Sequence, residues 1–411
     1  MRIENLFVAR PRDLPKDAES LGHRLSLKGG YIHQTAAGIW TFSPLGWRVM
    51  KNLIQIIREE MDAADMQEIF MPMLSPVALW KETGRENIDV LLKFKTRAGA
   101  DMALNPTHEE VVTDFTRTAL QSYKQLPFTL YQIQDKYRDE LRAKGGLLRG
   151  REFMMKDAYS FHATEEDLNK YYNNIFQVYL KVFERAGLKN VVAVEAPGGS
   201  ISKDPSHEFQ WISDIGEDIV YICDACGYKC NKEVLTGDKS APDITKCPHC
   251  GAPFKIAKAA EVGNIFRLGT KYSAPMNLRF TDANGREIAP VMGCYGIGVS
   301  RLMGCLLEQN GSDSKAVWND EIAPYKTHII SIGEAAVAVT QKLYAGTTNA
   351  VLDTTDDRAG TKFANADLIG APLRVVVSDK TLANDSAEVN GEIILLTETQ
   401  KRIKSYESPK A

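Results

Sequence analysis

Arg138, Asp139 and Glu140 stand in the run YQIQDKYRDELRAKGGLLRGREFMMKDAYSFH, where charged and aromatic residues recur at a spacing that suits chemistry. A strand over residues 130–140 alternates its side chains between faces, so Arg138 and Glu140 point the same way. Gly145-Gly146 gives the chain room to turn. The return strand then puts Arg149, Arg151, Phe153, Met155, Asp157 and Tyr159 on one face. A guanidinium presents a planar fork that bonds two phosphate oxygens at once, and the Phe153 ring offers a platform for a flat base. The plainer reading is an exposed hairpin laced by cross-strand ion pairs.

A second run, MGCYGIGVSRLMG from Met292 to Gly304, shifts the balance. Gly293, Gly296 and Gly298 allow backbone and ligand to approach closely. Arg301 follows at the start of an apolar helix ending near Gln309, aimed at the same ligand. Alone the glycine run is weak evidence for a nucleotide site; together with the hairpin it is much stronger.

The third constellation is Cys223-Asp-Ala-Cys226 and Cys247-Pro-His-Cys250, two CxxC pairs twenty residues apart, each followed by glycine. Each turn brings two thiolates to one metal, and two such knuckles close a tetrahedral four-sulfur shell. Structural Zn²⁺ is the expected occupant, a redox pair or an iron centre the alternatives, with Cys230 and His249 as substitute ligands. A closed shell leaves no position for water, so the metal should stabilise and not catalyse. A segment this small could hardly bury a core without it.

These groups need a scaffold, and several elements are legible. Thr164 and Asp167 open a helix whose apolar face uses Leu168, Tyr171, Tyr172, Ile175, Tyr179 and Phe183, with Gly187 as its stop. Those aromatics read as core, as does Cys305. The strand NVVAVEAP follows. Composition shifts to cysteine, lysine and small polar residues between Tyr221 and Phe254, the mark of an inserted module. Near Pro324 short apolar runs (HIISIG, AVLDT, LRVVVSD, EIILLT) alternate with helical stretches, an α/β domain of its own. The tail SYESPKA reads as unstructured.

Length and composition fit two or three domains, with 411 residues, 44% hydrophobic and 25% charged. A net charge of -3 gives no global basic signal, so a nucleic-acid partner would be met by local patches. Five of the seven cysteines lie between Cys223 and Cys250, which argues against a disulfide framework. No signal-peptide core and no stretch near the roughly 20 apolar residues of a membrane span is present. A cytoplasmic protein without membrane contact is expected.

The two motif runs resemble the second and third signature motifs of class II aminoacyl-tRNA synthetases. The helix from Trp47 to about Ala64 with QEIFMPMLSP resembles the first. NPTHEE (Asn105 to Glu110), SHEFQ (Ser206 to Gln210), LGTKYS (Leu268 to Ser273) and MGCYGIGVSR are similar to bacterial-type prolyl-tRNA synthetases, and the resemblance runs from Met1 to about Val377. It implies an α+β fold: an antiparallel-sheet catalytic core (1–218 and 261–322), an inserted zinc ribbon (219–260) and a C-terminal α/β anticodon-binding domain (323–411).

The implied reaction joins L-proline to tRNA(Pro) through prolyl-adenylate, with ATP and Mg²⁺. Arg138 would bind the α-phosphate and the substrate carbonyl, and Glu140 the adenine amino group, with Phe153 stacked on the base. Arg301 would hold the γ-phosphate, assisted by Arg149 or Arg151, and Glu208 would contact ribose or magnesium. Thr107 and Glu109 match the T-x-E loop that meets the charged imino nitrogen. For Glu109 the plainer reading is an acid at a helix N-terminus. Met155, Asp157, Tyr159, His162, Phe209 and Cys294 would form the ring pocket and its support, His162 being equally suited to a structural role. A homodimer is implied through the first motif.

Two departures from the family pattern stand out. Many bacterial members carry a large editing domain between the second and third motifs; here that interval holds only the ribbon, so editing of alanyl-tRNA(Pro) in cis is not expected. The C-terminal domain matches through KFANADLIGAPLRVVV, but Thr355-Asp356-Asp357-Arg358-Ala359-Gly360 replaces a basic run, which weakens phosphate contact. Two rivals remain: a regulatory paralogue that keeps the fold, disfavoured by its retained phosphate arginines, and a zinc-ribbon RNA-binding protein.

Overall fold

The computed structural model describes residues 1–202 and 204–407. Residues 408–411 of the SYESPKA tail lie outside the described residues, whereas Ser405–Glu407 close the last helix. The chain forms two compact units, each from separate segments. One joins Ala37–Ile39 to Ile54–Leu302; the other joins Met1–Ala36 and Trp40–Leu53 to the residues from Met303 onward.

The first unit is built on a nine-stranded sheet. Its strands in chain order are β1 (Gln67–Glu68), β2 (Phe128–Tyr137), β3 (Glu152–His162), β4 (Val191–Ala196), β5 (Ser206–Ile212), β6 (Asp218–Ile222), β7 (Lys229–Asn231), β8 (Lys255–Gly269) and β9 (Val291–Gly298). Their spatial order is β5-β4-β7-β6-β8-β9-β3-β2-β1, and β5 also pairs with β8. Pairing is antiparallel except at β1–β2 and the single bridge of β7 to β4.

The predicted hairpin is β2–β3, in register from Phe128 opposite Phe161 to Tyr137 opposite Glu152. Its connection is longer than a tight turn and holds a short 3₁₀ helix at Gly146–Leu148. Gly145 and Gly146 both have φ near +64°, a conformation that costs an L side chain about 1–2 kcal/mol.

One face of this sheet is covered by the helix Glu165–Ala186. Thr164 Oγ1 caps it by accepting from the Asp167 backbone N–H, and Gly187 ends it in the left-handed region (φ +83°). Leu168, Tyr172, Ile175, Tyr179 and Phe183 are buried on it, as the core reading expected, whereas Tyr171 is half-buried. The other face carries the pocket. The helix Glu109–Thr116 contributes a further wall through Glu109, and a three-stranded sheet of Leu74–Pro76, Asp101–Leu104 and Lys93–Lys95 belongs to the same unit.

The cysteine-rich stretch is not a bead on a string. Its outer strands, β6 and the first half of β8, pair with each other from Asp218 opposite Ala259 to Ile222 opposite Lys255, and β8 then continues into the pocket wall. A small cluster of Tyr221, Cys223, Cys230, Cys247 and Phe254 fills it.

In the second unit a five-stranded sheet has the order Ala350–Asp353, Thr327–Ile332, Leu373–Ser378, Ser386–Val389, Glu392–Leu395. The first three strands are parallel and the last two antiparallel. Helices Glu334–Ala345, Ala359–Ile369 and Leu396–Glu407 accompany it. The helix resembling the first motif runs Pro44–Asp62. Among the described residues no helix is long and apolar enough to cross a membrane.

Candidate active site and cysteine cluster

Strand alternation builds the site. On β2 the even positions Gln132, Gln134 and Lys136 face the odd positions Asp157, Met155 and Phe153 of β3. On β9, Cys294, Gly296 and Gly298 stand opposite Tyr159, Asp157 and Met155. These strands, β8 and the 138–150 connection enclose a cavity of about 210 Å³. Thr107, Glu109, Arg138, Glu140, Arg149, Phe153, Met155, Asp157, Cys294 and Arg301 all line it. A Cβ at Gly296 or Gly298 would come no closer than 3.4 Å to any protein atom. The missing side chains therefore leave room for a ligand.

One end of the cavity is acidic and tightly held. Glu109, the first residue of its helix, is fully buried. It accepts from Thr107 Oγ1 at 2.6 Å, from the Cys294 thiol at 3.3 Å and from Arg85 Nη1 at 3.4 Å. Arg85 also pairs with Glu110 at 2.9 Å. Burial opposes its charge, but Glu109 and Glu110 more than offset that and raise its pKa.

Beneath lies a second buried pair, Lys136 Nζ to Asp157 Oδ1 at 2.8 Å. Gln132 and Tyr159 both donate to Asp157 Oδ2, at 3.0 and 2.8 Å. Burial raises the Asp157 pKa, but Lys136 leads the groups that bring it below the usual carboxylate range. His108 donates from Nε2 to Pro72 O at 2.9 Å, and burial pushes its pKa down to about 4, so the ring is neutral.

The other end is rich in guanidinium groups. Arg138 lies between the two ends, its Nε 3.4 Å from Pro106 O and its guanidinium 5.1 Å from the centre of the Phe153 ring. Arg301 donates to Leu148 O and Glu261 O, both at 2.6 Å. Arg149 bridges Glu140 (2.8 Å) and Glu217 (3.0 Å). Burial and the charge of Arg301 lower the Arg138 pKa. Arg138 and Arg301 both line the cavity, with the Glu261 carboxylate 3.8 Å from Arg301.

Five other residues singled out in the sequence do not line the cavity. Arg151 is tied to backbone, donating to Glu140 O at 2.9 Å and Ala37 O at 3.3 Å. Tyr159 supports the floor through Asp157 and accepts from the His108 backbone N–H at 3.0 Å. His162 is buried with Nδ1 2.6 Å from Asp167, the geometry of its structural reading. Phe209 packs among Phe176, Tyr179 and Phe183 on the helix-covered face. Glu208 lies behind Asn264, which does line the cavity. Burial and neighbouring Glu261 push Glu208 up to about 8. Arg85, His108, Gln132, Lys136, Glu261 and Asn264 were not anticipated. Lys136 and Gln132 share the parity of Arg138, the one signal that could have found them.

The four cysteine sulfurs gather as the spacing predicts. Cys223–Cys250 and Cys226–Cys247 are 3.4 and 3.6 Å apart, and all four lie within 4.8 Å of one another. Zinc–sulfur bonds of about 2.3 Å in a tetrahedron place sulfurs about 3.8 Å apart, so the set fits such an ion. Both knuckles share one backbone pattern: Gly227 N–H donates to Cys223 O and Gly251 N–H to Cys247 O, with φ of +78° and +74°. Cys230 and His249 stay outside the cluster among the described residues.

Fold and site together define a class II aminoacyl-tRNA synthetase. The class II tRNA synthetase core domain (G, H, P, S and T) matches residues 92–310, and an anticodon-binding domain matches 322–392. The chain is 38% identical to the proline--tRNA ligase of Ehrlichia ruminantium over 405 residues, 95% of either chain. It is 33% identical to that of Moorella thermoacetica over 542 aligned positions, covering 95% of this chain and 94% of that one. Giardia lamblia prolyl-tRNA synthetase, solved in complex with prolyl-adenylate, shares the fold with a TM-score of 0.75 at 18% identity, over 92% of this chain and 74% of that one. The chain belongs to the prolyl-tRNA synthetase family and is a proline--tRNA ligase.

Proposed function

We propose that the cavity binds proline at its acidic end and ATP at its arginine-rich end, and that the carboxylate of proline attacks the α-phosphate to give prolyl-adenylate and pyrophosphate. The observation that carries this reading is Arg138, placed between the buried Glu109 cluster and Arg301. Proline is a zwitterion: Glu109 and Thr107 meet its charged imino nitrogen, and Arg138 its carboxylate and the α-phosphate. Charge building on the phosphate oxygens is met by groups already in place, which is where such catalysis gains most. Phe153 stacks on adenine and Glu140 accepts from its amino group, Arg149 turning toward the phosphates. Arg301 holds the γ-phosphate. The terminal adenosine of tRNA(Pro) then takes the prolyl group.

Two metals enter this reading. Glu208, Glu261 and buried amide oxygens form an oxygen-rich set suited to the Mg²⁺ of ATP, which would screen the phosphates. Zn²⁺ would be held by Cys223, Cys226, Cys247 and Cys250 as a closed structural centre. The division into a core (1–218 and 261–322), a ribbon (219–260) and an anticodon-binding domain (323–411), a homodimer formed through the Pro44–Asp62 helix, and a cytoplasmic location without membrane attachment complete the reading.

The enzyme is also expected to lack editing of alanyl-tRNA(Pro). The interval between the two motif runs is occupied by the helix, strands and ribbon described above. An alignment of 542 positions to the Moorella relative leaves well over a hundred of them without a counterpart in 411 residues. Proline-dependent ATP–pyrophosphate exchange followed by charging of tRNA(Pro) tests the proposal. Exchange supported equally by other amino acids would overturn the pocket assignment.

A further inference from the structure

The insert reaches Glu208 directly through Asn231, while its Lys239 pairs at 2.8 Å with Asp218, which accepts from Gln210 at 3.1 Å. Asn231 ends β7, is 2% exposed, and donates from Nδ2 to Glu208 Oε2 at 2.9 Å. Gln210 Nε2 donates to the same carboxylate oxygen at 2.8 Å, and Asn264 Nδ2 lies 3.5 Å from the other. Two amide oxygens beside it, Gln210 Oε1 and Asn264 Oδ1, are buried with no donor among the described residues. Two carboxylates and two unpaired buried acceptors make this corner electron-rich, as a cation-bound polyphosphate requires. Among the described residues the acidic end is held from outside the insert, Glu109 accepting from Arg85, Thr107 and Cys294.

We propose that Asn231 is a positioning residue: it fixes Glu208 toward the nucleotide end, so that the insert governs affinity for ATP with its cation and leaves proline affinity alone. The inference rests on the two-ended reading of the cavity. Losing a group that orients a ligating carboxylate commonly costs 10–100-fold in affinity. Without Asn231, Glu208 keeps one short hydrogen bond, to Gln210, and is free to swing away from Asn264 in the cavity wall.

Asn231→Ala and the apolar, similarly sized Asn231→Leu are to be compared with the full-length protein by calorimetric titration with ATP plus Mg²⁺ and, separately, with L-proline. Both variants are expected to weaken ATP binding and raise the KM for ATP about tenfold, with proline affinity and its KM within twofold of wild type. Asn231→Leu fills the space that alanine would leave, so one variant can be read if the other fails to fold. Unchanged ATP affinity in a folded variant, or a parallel loss of proline affinity, would overturn the proposal. A wild-type protein that binds ATP but shows no proline-dependent exchange would instead defeat the cavity assignment.

Discussion

Arg138 holds its guanidinium over Phe153 and close enough to Arg301 for the two charges to oppose each other. Arg138→Ala is expected to lower proline-dependent exchange by about 10²–10³, the usual cost of one preorganised donor, with the thermal unfolding profile unchanged. Near wild-type exchange would remove Arg138 from the chemistry. Strand alternation made Phe153, Met155 and Asp157 legible in the sequence; Arg138 and Glu140 were expected on the same strand, but it ends at Tyr137 and both reach the cavity from the connection that follows. Lys136 obeys the same parity, yet a lysine is read as solvent-facing by default; only the structure shows it buried against Asp157. Arg85 could not be found this way. It reaches Glu109 and Glu110 from a loop after the helix Val77–Glu82, and no local periodicity encodes that meeting. Phe209 alternates with Glu208 as a strand should, but the sequence did not reveal which face the Glu165–Ala186 helix would cover.

Among the elements, the ribbon shows how a composition signal can mark a module and miss its attachment. Cysteine spacing alone fixed the four-sulfur cluster. The continuity of β8 from Lys255 into the cavity wall was hidden, since KIAKAAEVGNIFRLG mixes glycine and small residues without clean alternation. Cys223→Ser or Cys247→Ser is expected to release close to one zinc per chain and to speed proteolysis within residues 221–254, any fall in activity following indirectly. Metal analysis finding no zinc in protein purified without chelator would defeat the structural site. Zinc loss with unchanged proteolysis would defeat its stabilising role. The helix Glu165–Ala186, by contrast, was legible from cap to stop, because Thr164, its apolar spacing and Gly187 each act locally.

For the whole molecule, the consequence concerns fidelity. Alanine fits any cavity that admits proline, and exclusion then rests on lost contacts. One missing methylene is worth about 1–3 kcal/mol in an apolar pocket; alanine lacks two of proline's ring carbons, so discrimination should be useful but incomplete. Purified enzyme is expected to leave alanyl-tRNA bearing the proline anticodon at its spontaneous rate of deacylation, and to release cysteinyl-tRNA, close in size, equally uncorrected. Hydrolysis well above the enzyme-free rate would reveal an editing site within this chain.

The ladder from Asp218 opposite Ala259 to Ile222 opposite Lys255 makes the insertion point a socket. Neighbouring strands lie about 4.8 Å apart, so a segment whose own ends lie that close can be spliced there, from a tight turn to a whole domain, although the present one also lends β7 to the sheet between β4 and β6. Interchange at this locus gives up β7, and β4 and β5 then stay joined to the sheet through the pairing of β5 with β8. Joining Ile222 to Lys255 through Asn-Gly, a turn that suits a two-residue hairpin, is expected to give a soluble chain with the far-ultraviolet dichroism of the parent sheet and unchanged proline affinity. An insoluble product would mean that the graft is structural to its host and the socket is only apparent.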